Sequence, residues 1–255
     1  MVVPNIQRLA AALVLLAINA CDAPPLAQTC AANGNALPAA VTAGGDVWPN
    51  EPPGLTTLTS DWKCEGDGIS VQSNELVFTY PAGFQSGYAP GVAYLDIPAP
   101  TPESYFGFWW KPSSRWQSHP SGVNKIALLF PSTSGAGTIV MMMFHDGGTY
   151  TIQVEPTFES DSRRLAPNRT ATPVVLGAWH QIEWYVRYSS NPSSGDGVVR
   201  WWVDGVLQGE YTDLQMPPDA GFTQYTIRPV WGGAVGDAKV QTDSFSYGRV
   251  HISKR

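Results

Sequence analysis

Residues Trp179 to Tyr188 read WHQIEWYVRY. Apolar and polar side chains alternate along this stretch, with the two-residue period of a β-strand that buries one face. One face carries Ile182, Trp184 and Val186. The other face carries Gln181, Glu183, Tyr185 and Arg187. The alternation predicts a strand whose first face lies in a core and whose second face is open to solvent or to a ligand.

A second strand of the same kind follows at 198–203, which reads VVRWWV. Residues 150–155 alternate in a similar way. The open faces mix long hydrogen-bonding groups with aromatic rings, and this mixture suits a sugar, whose C–H face stacks on a ring while its hydroxyls bind charged or amide groups. We therefore predict a polysaccharide partner. The predicted binding residues are Gln153, Glu155, Gln181, Glu183, Tyr185, Arg187, Arg200 and Trp202.

The rest of the chain supports an all-β protein. Short apolar or alternating runs recur between residues 75 and 252, roughly every ten to fifteen residues, and Gly, Pro, Asn and Ser separate them. Strands without intervening helices form antiparallel sheets. We predict an antiparallel β-sandwich of the jelly-roll type.

Composition excludes one class of partner. Only 14% of the 255 residues are charged, and the formal net charge is -6. A nucleic-acid-binding protein carries a basic patch, whereas this chain contains no run of Lys or Arg. We therefore expect no nucleic-acid partner, and we expect a monomer.

The N-terminus resembles an export signal. An apolar run at 9–18 is too short to cross a bilayer and has the length of a signal-peptide core. Ile18-Asn19-Ala20-Cys21 then resembles the bacterial lipobox. We predict an exported bacterial protein with a signal peptide at 1–20, lipidation at Cys21, a tether and leader at 21–54 and a jelly-roll domain at 55–255. Its membrane contact would be the lipid anchor only, in the cell envelope; simple secretion and a retained anchor are the alternatives.

The remaining cysteines, Cys30 and Cys64, form an even pair in an oxidising compartment. We predict a disulfide between them, with two free thiols as the alternative. No Cys/His spacing typical of zinc occurs, so we predict no metal site. Calcium is the one cofactor left open, because Asp61, Glu65 and Asp67 offer oxygen ligands in a glycine-rich loop.

Several segments resemble the concanavalin A-like lectin and glucanase superfamily, and in part bacterial lipoproteins likened to polysaccharide lyases. The segments are 108–111, 119–125, 179–187, 195–206, 230–233 and 245–253. The resemblance covers about 55–255 and implies a concanavalin A-like jelly roll. That fold hosts lectins, hydrolases, lyases and adhesion modules, so it leaves the activity open.

Two enzyme classes are alternatives within that resemblance. Glucanases of this fold carry their two carboxylates on one strand as Glu-x-Asp-x-x-Glu, a pattern that the chain lacks. A lyase needs a group that neutralises a uronate carboxylate and a base that removes the C5 proton. The lyase candidates are His119, His145, Tyr185, Arg187 and Arg200, with His180, Tyr225 and Arg228 as further choices.

The leading hypothesis is polysaccharide binding on the open face of a jelly roll. β-Elimination of an acidic glycan is the alternative, and a non-catalytic adhesion module of the cell envelope is the second alternative.

Overall fold

The computed structural model describes residues 28–29, 47–58, 62–72, 75–132, 137–158, 160–191, 193–216, 221–233 and 236–255. The regular elements in these ranges are all strands. They are β1 (Gln28–Thr29), β2 (Thr56–Thr57), β3 (Lys63–Glu65), β4 (Ile69–Gln72), β5 (Glu75–Tyr80), β6 (Val92–Thr101), β7 (Glu103–Pro112), β8 (Val123–Pro131), β9 (Ile139–Asp146), β10 (Thr149–Pro156), β11 (His180–Arg187), β12 (Gly197–Val203), β13 (Val206–Leu214), β14 (Phe222–Ile227) and β15 (Asp243–Lys254). None of the described segments is a helix of the length and apolarity needed to span a membrane.

The strands form two antiparallel sheets. Sheet A has the order β1-β3-β6-β14-β8-β9-β10, and sheet B has the order β13-β12-β11-β7-β15-β5-β4, with β2 paired to β15. Consecutive strands cross between the sheets, because β6 lies in sheet A, β7 in sheet B and β8 again in sheet A. Each sheet therefore has one face toward the other sheet and one outer face.

The core lies between the sheets and follows the predicted alternation. Ile182, Trp184 and Val186 of β11 are all buried in it. Trp201 of β12 is fully buried, and its indole Nε1 donates a hydrogen bond to the Ile152 carbonyl, 3.1 Å away. This bond joins the two sheets across the core and satisfies the indole donor.

A buried ion pair closes one end of the core. The Lys239 ammonium lies 2.6 Å from the Asp243 carboxylate, and both side chains are fully buried. The ammonium also stands 3.9 Å from the ring centre of Trp116 and 4.8 Å from that of Trp231. Burial lowers the pKa of Lys239 to about 8 against the opposing effect of Asp243. Surrounding rings and a paired carboxylate compensate the lost hydration of the charge.

Residues 47–58, which we call the strap, cross the outer face of sheet B. The Trp48 ring stacks on His251 with a centroid distance of 5.7 Å. It also covers Gly107, where an added Cβ would come within 2.6 Å of the ring. Asn50 donates hydrogen bonds to Glu183 from its backbone and from its side chain, at 3.1 and 2.8 Å. Part of the predicted leader therefore packs on the sandwich ahead of the predicted boundary at residue 55.

Residues 160–172, which we call the clasp, bind edge strands of both sheets. Leu165 exchanges two backbone hydrogen bonds with Val154 of β10, at 2.7 and 3.2 Å. Asn168 receives a hydrogen bond from the Glu210 N–H and donates one to the Glu210 carbonyl on β13, at 2.9 and 2.8 Å. One loop thus pairs with the backbone of both sheets at the same side of the sandwich.

The described residues do not include three residues named above. These are the predicted lipidation site Cys21, the predicted disulfide partner Cys30 and Asp61 of the calcium candidate loop. Cys64 on β3 is buried, and its strand pairs with β1 so that Gln28 lies opposite Cys64. The predicted disulfide and lipidation remain predictions.

Candidate functional site

The predicted binding residues lie on two opposite outer faces. Residues of β11 and β12 place Gln181, Glu183, Tyr185, Arg187, Arg200 and Trp202 on the outer face of sheet B. Gln153 and Glu155 of β10 lie on the outer face of sheet A. The structure therefore does not bring the predicted set together into one surface.

The strap covers part of the set on sheet B. Glu183 is fully buried, and its carboxylate accepts hydrogen bonds from Asn50 and, at 2.6 Å, from the Tyr105 hydroxyl. Tyr185 is buried as well and donates a hydrogen bond to Glu103. Burial, with that hydrogen bond, raises the pKa of Tyr185 to about 12, which does not suit a general base at neutral pH. Neither side chain reaches a ligand while the strap is in place.

Gln181 also contacts the strap, because its side-chain amide donates a hydrogen bond to the Val47 carbonyl at 3.0 Å. The other three members on sheet B make contacts away from the strap. Arg200 donates to the Glu210 carboxylate at 2.7 Å, and Trp202 packs half-buried beside Tyr105. Arg187 is exposed and donates to the Asp196 carbonyl at 3.3 Å. These three keep access to solvent.

The outer face of sheet A carries a groove of about 330 Å³. Apolar residues of β8 and β9 form part of its lining, and charged or polar residues of β8, β10 and the neighbouring loops complete it. The lining residues are His119, Ser121, Val123, Lys125, Val140, Met142, Glu155, Thr157, Arg164 and Gly233. Two residues named from the sequence, His119 and Glu155, belong to this groove.

Lys125 is the lysine of the groove lining, and it lies on β8 beside a β-bulge between Lys125 and Ala127. It is half-buried, and among the described residues its ammonium makes no hydrogen bond and no ion pair within 4 Å. Burial lowers the pKa of Lys125, Glu155 opposes that shift and Arg228 adds to it. A partly dehydrated cation without a local partner favours binding of an anion.

Glu155 and Arg164 form the opposite side of the groove. Arg164 Nε donates to Glu155 Oε2 at 2.9 Å, and its guanidinium lies 4.5 Å from the Phe144 ring centre. Among the described residues, Arg164 uses only Nε in a hydrogen bond, which leaves its other two guanidinium nitrogens for a ligand. Gln153 lies two residues from Glu155 on the same face but is buried.

His119 lies at the rim of the groove and is held on three sides. Its Nδ1 lies 2.7 Å from Ser121 Oγ, and its backbone N–H donates to the buried Asn124 amide oxygen. Its Nε2 lies 3.2 Å from Asp237 Oδ2 but is not aligned for a hydrogen bond. Gly232 allows this close packing, because a Cβ there would come within 2.4 Å of the imidazole. Asn124, which the sequence reasoning did not single out, anchors this corner by donating to the carbonyls of Gly122 and Met143.

The other lyase candidates lie outside the groove lining. His145 stacks on Tyr150 at 4.5 Å between ring centres. His180 is buried and bonded to Asp204 at 2.8 Å. Tyr225 lies in the core, where burial raises the pKa of its hydroxyl. Arg228 is exposed at the end of β14 and acts on Lys125 only through its charge.

The described residues contain no group of three or more His, Cys, Asp or Glu side chains arranged to hold a metal ion. In the loop predicted as a calcium candidate, the Glu65 carboxylate accepts a hydrogen bond from Tyr94 at 3.0 Å.

Comparisons with known proteins identify the architecture. No protein-family profile and no curated protein sequence matches the chain. A mutant of alginate lyase Aly36B in complex with alginate trisaccharide superposes with a TM-score of 0.57 at 12% identity, over 74% of this chain and 85% of that chain. The metal-free carbohydrate recognition domain of Emp46p gives a TM-score of 0.52 at 7% identity, over 75% and 87%. The fold is a concanavalin A-like jelly roll. This confirms the predicted fold class.

The cellulose-induced protein Cip1 also has a similar fold, with a TM-score of 0.50 at 14% identity, over 75% of this chain and 90% of that chain. At such identities the likeness concerns the fold alone.

Proposed function

We propose that the protein binds an acidic polysaccharide in the groove on the outer face of sheet A. The observation that carries this proposal is the half-buried Lys125 ammonium without a partner among the described residues. A uronate carboxylate would supply the missing negative charge, and Arg164 offers further donors across the groove. Val123, Val140 and Met142 form an apolar, buried floor beneath these charged groups.

Two features favour a polysaccharide over a small anion. The groove is partly open to solvent, and its lining holds two cations, Lys125 and Arg164, against one carboxylate, Glu155, although the whole chain has a net charge of -6. Proteins of the same fold include an alginate lyase in complex with an alginate trisaccharide and a carbohydrate recognition domain. Both support a sugar chain as the ligand of this jelly roll.

The test replaces Lys125 by Met and measures retention of the protein on sodium alginate and on a neutral soluble β-glucan. Loss of one charge-assisted contact costs about 1.5–3 kcal/mol, so we expect alginate retention to weaken at least tenfold. Lys254→Met on β15 of sheet B removes the same charge elsewhere and serves as the control. Unchanged alginate retention in the Lys125→Met variant would contradict the proposal.

A second candidate function is β-elimination of that polysaccharide, favoured by the lowered pKa of Lys125. In this reaction the lone pair of the uncharged Lys125 amine takes the C5 proton. The electron pair of the C5–H bond forms the C4=C5 bond, and the C4–O bond breaks with its electron pair on the leaving oxygen. Arg164 would neutralise the uronate carboxylate, and the leaving oxygen takes a proton from solvent. Ultraviolet absorbance of the unsaturated product tests this. A wild-type protein that retains alginate without producing that absorbance is a binding protein and not a lyase.

We further propose that the protein is exported and anchored through a lipid on Cys21. The lipobox-like sequence at 18–21 supports this proposal. A polysaccharide ligand is consistent with a place in the cell envelope.

A further inference from the structure

We infer that the outer face of sheet B carries a second binding surface for an acidic polysaccharide, distinct from the groove. It consists of two tryptophans and two cations, Trp109, Lys111, Trp179 and Arg249, which we call the platform. The platform lies beside the strap on the side of the sandwich opposite Lys125, so it does not depend on the function proposed for the groove.

Strand register places these residues together. Trp109 on β7 pairs with Gln181 of β11 on one side and with Gly248 of β15 on the other. Phe108 and Trp110 face the core, so Trp109 and Lys111 face outward. The Trp179 ring lies over Gly248, because an added Cβ there would be 3.9 Å from it.

A cationic side chain lies over each tryptophan ring of the platform. The Lys111 ammonium lies 4.5 Å from the ring centre of Trp179, and the Arg249 guanidinium lies 5.9 Å from that of Trp109. Both tryptophans are half-exposed and Arg249 is exposed. Glu75 lies 3.5 Å from Lys111, which balances part of its charge. Half-exposed rings with adjacent cations match a pyranose with a carboxylate, since the ring face stacks and the cation meets the acid.

The outward direction of Arg249 depends on a strained backbone conformation. Phe245 and Tyr247 face the core, so simple alternation would send residue 249 inward. A bulge between Gly248 and His251 turns Arg249 outward instead, and Val250 then returns to the core. Arg249 adopts a φ of 50°, a left-handed conformation that glycine would hold without strain. Bulges and strained residues of this kind re-aim side chains at binding sites.

The test separates the guanidinium from the backbone. Arg249→Gly keeps the bulge, relieves the positive φ and removes the guanidinium with its contacts, and the melting temperature of the variant is measured beside its retention. Alginate retention should fall by about threefold to tenfold, and Trp179→Ala should give a loss of similar size. Arg169→Gln removes one exposed arginine from the clasp and is the control for charge.

Each variant is measured alone and in combination with Lys125→Met, on sodium alginate and on a neutral soluble β-glucan. Loss of alginate retention with both Arg249→Gly and Trp179→Ala, in either background, supports the platform even if Lys125→Met itself has no effect. Unchanged retention in both variants overturns the proposal. An equal loss on the neutral glucan overturns the assignment of an acidic ligand.

Discussion

Among single residues of the core, Trp201 and Gly209 pack so closely that no larger side chain fits at residue 209 without movement of the ring. The Trp201 ring is fully buried and occupies the space directly above Gly209 of β13. Tyr211 stacks parallel to the same ring at a centroid distance of 6.1 Å. The glycine is therefore required by the close approach of the indole, since its backbone does not adopt a positive φ.

Gly209→Ala should destabilise the protein strongly. Its Cβ would lie 1.9 Å from the Trp201 ring, so the indole must move and strain its hydrogen bond to Ile152. We expect a loss of about 1–3 kcal/mol or more in the free energy of unfolding, measured by urea denaturation. Gly233→Ala is the control, because no atom of the described residues lies within 4 Å of its added Cβ. Equal stability of the two variants would show that the ring moves freely.

At the scale of elements, short loops fix where strands begin. His180 at the start of β11 bonds to Asp204, and Asp204 also accepts the Gln181 N–H at 2.8 Å. Burial is the largest single effect and opposes charge on both side chains. Their mutual hydrogen bond, the backbone hydrogen bonds at Val175 and Gln181 and the attraction between the two charges together outweigh it. The pKa of His180 is therefore raised and that of Asp204 is lowered. The pair ties the turn after β12 to the start of its neighbouring strand.

This pair should make stability depend on pH. The raised pKa of His180 gives a contribution that is complete below its unfolded value of about 6.5 and is lost as pH rises through the folded value. The lowered pKa of Asp204 gives a contribution that is present above its unfolded value of about 3.9 and is lost as pH falls through the folded value.

Asp204→Asn tests the pair, because asparagine tolerates the φ of 51° at this position and can still accept from Gln181. The difference in melting temperature between wild type and variant should be largest between about pH 4 and pH 6.5 and should shrink on both sides. A difference that stays constant from acid to alkaline pH would argue against a charged pair.

β1 is an edge strand of sheet A and lies just before Cys30 in the sequence. β1 pairs with β3 so that Thr29 lies opposite Lys63 and Gln28 opposite Cys64, which brings the chain just before Cys30 beside Cys64. We predict a disulfide between the two cysteines, which would contribute about 2–4 kcal/mol. Alkylation without reductant, followed by mass spectrometry, should label neither. Labelling of both thiols would refute the bridge.

At the scale of the whole molecule, the two outer faces differ in what covers them. Sheet A presents the groove, whereas sheet B is crossed by the strap and presents the platform beside it. If Cys21 carries a lipid, the chain joins the membrane upstream of the strap.

Cys21→Ser should release the protein from the membrane fraction into the soluble fraction, because acylation requires the thiol. Fractionation followed by immunoblotting checks this, with wild type as the membrane-bound reference. Membrane association that persists in the variant would contradict the anchor.

The alternation of apolar and polar residues in the sequence predicted which faces of the strands are buried. The inward faces of β11 and β12 and the antiparallel sandwich follow from period-two burial, and both are confirmed. The open face of β11 could not be read in this way, because its cover comes from Asn50, 133 residues away from Glu183. Lys125 could have been singled out from the sequence, because it is the single charged residue in the largely apolar stretch 123–131. The direction of its side chain depends on the bulge between Lys125 and Ala127, which the sequence does not reveal.

The clasp also bears on how the protein behaves among its own copies. An unpaired strand edge is a template onto which a second chain can add, and such addition can propagate into fibrils. By pairing with Val154 on β10 and with Glu210 on β13, the clasp occupies part of one edge of each sheet. A proteolytic cut in this exposed loop would uncover both templates together. The clasp therefore protects one edge of each sheet against the addition of a strand from a second copy.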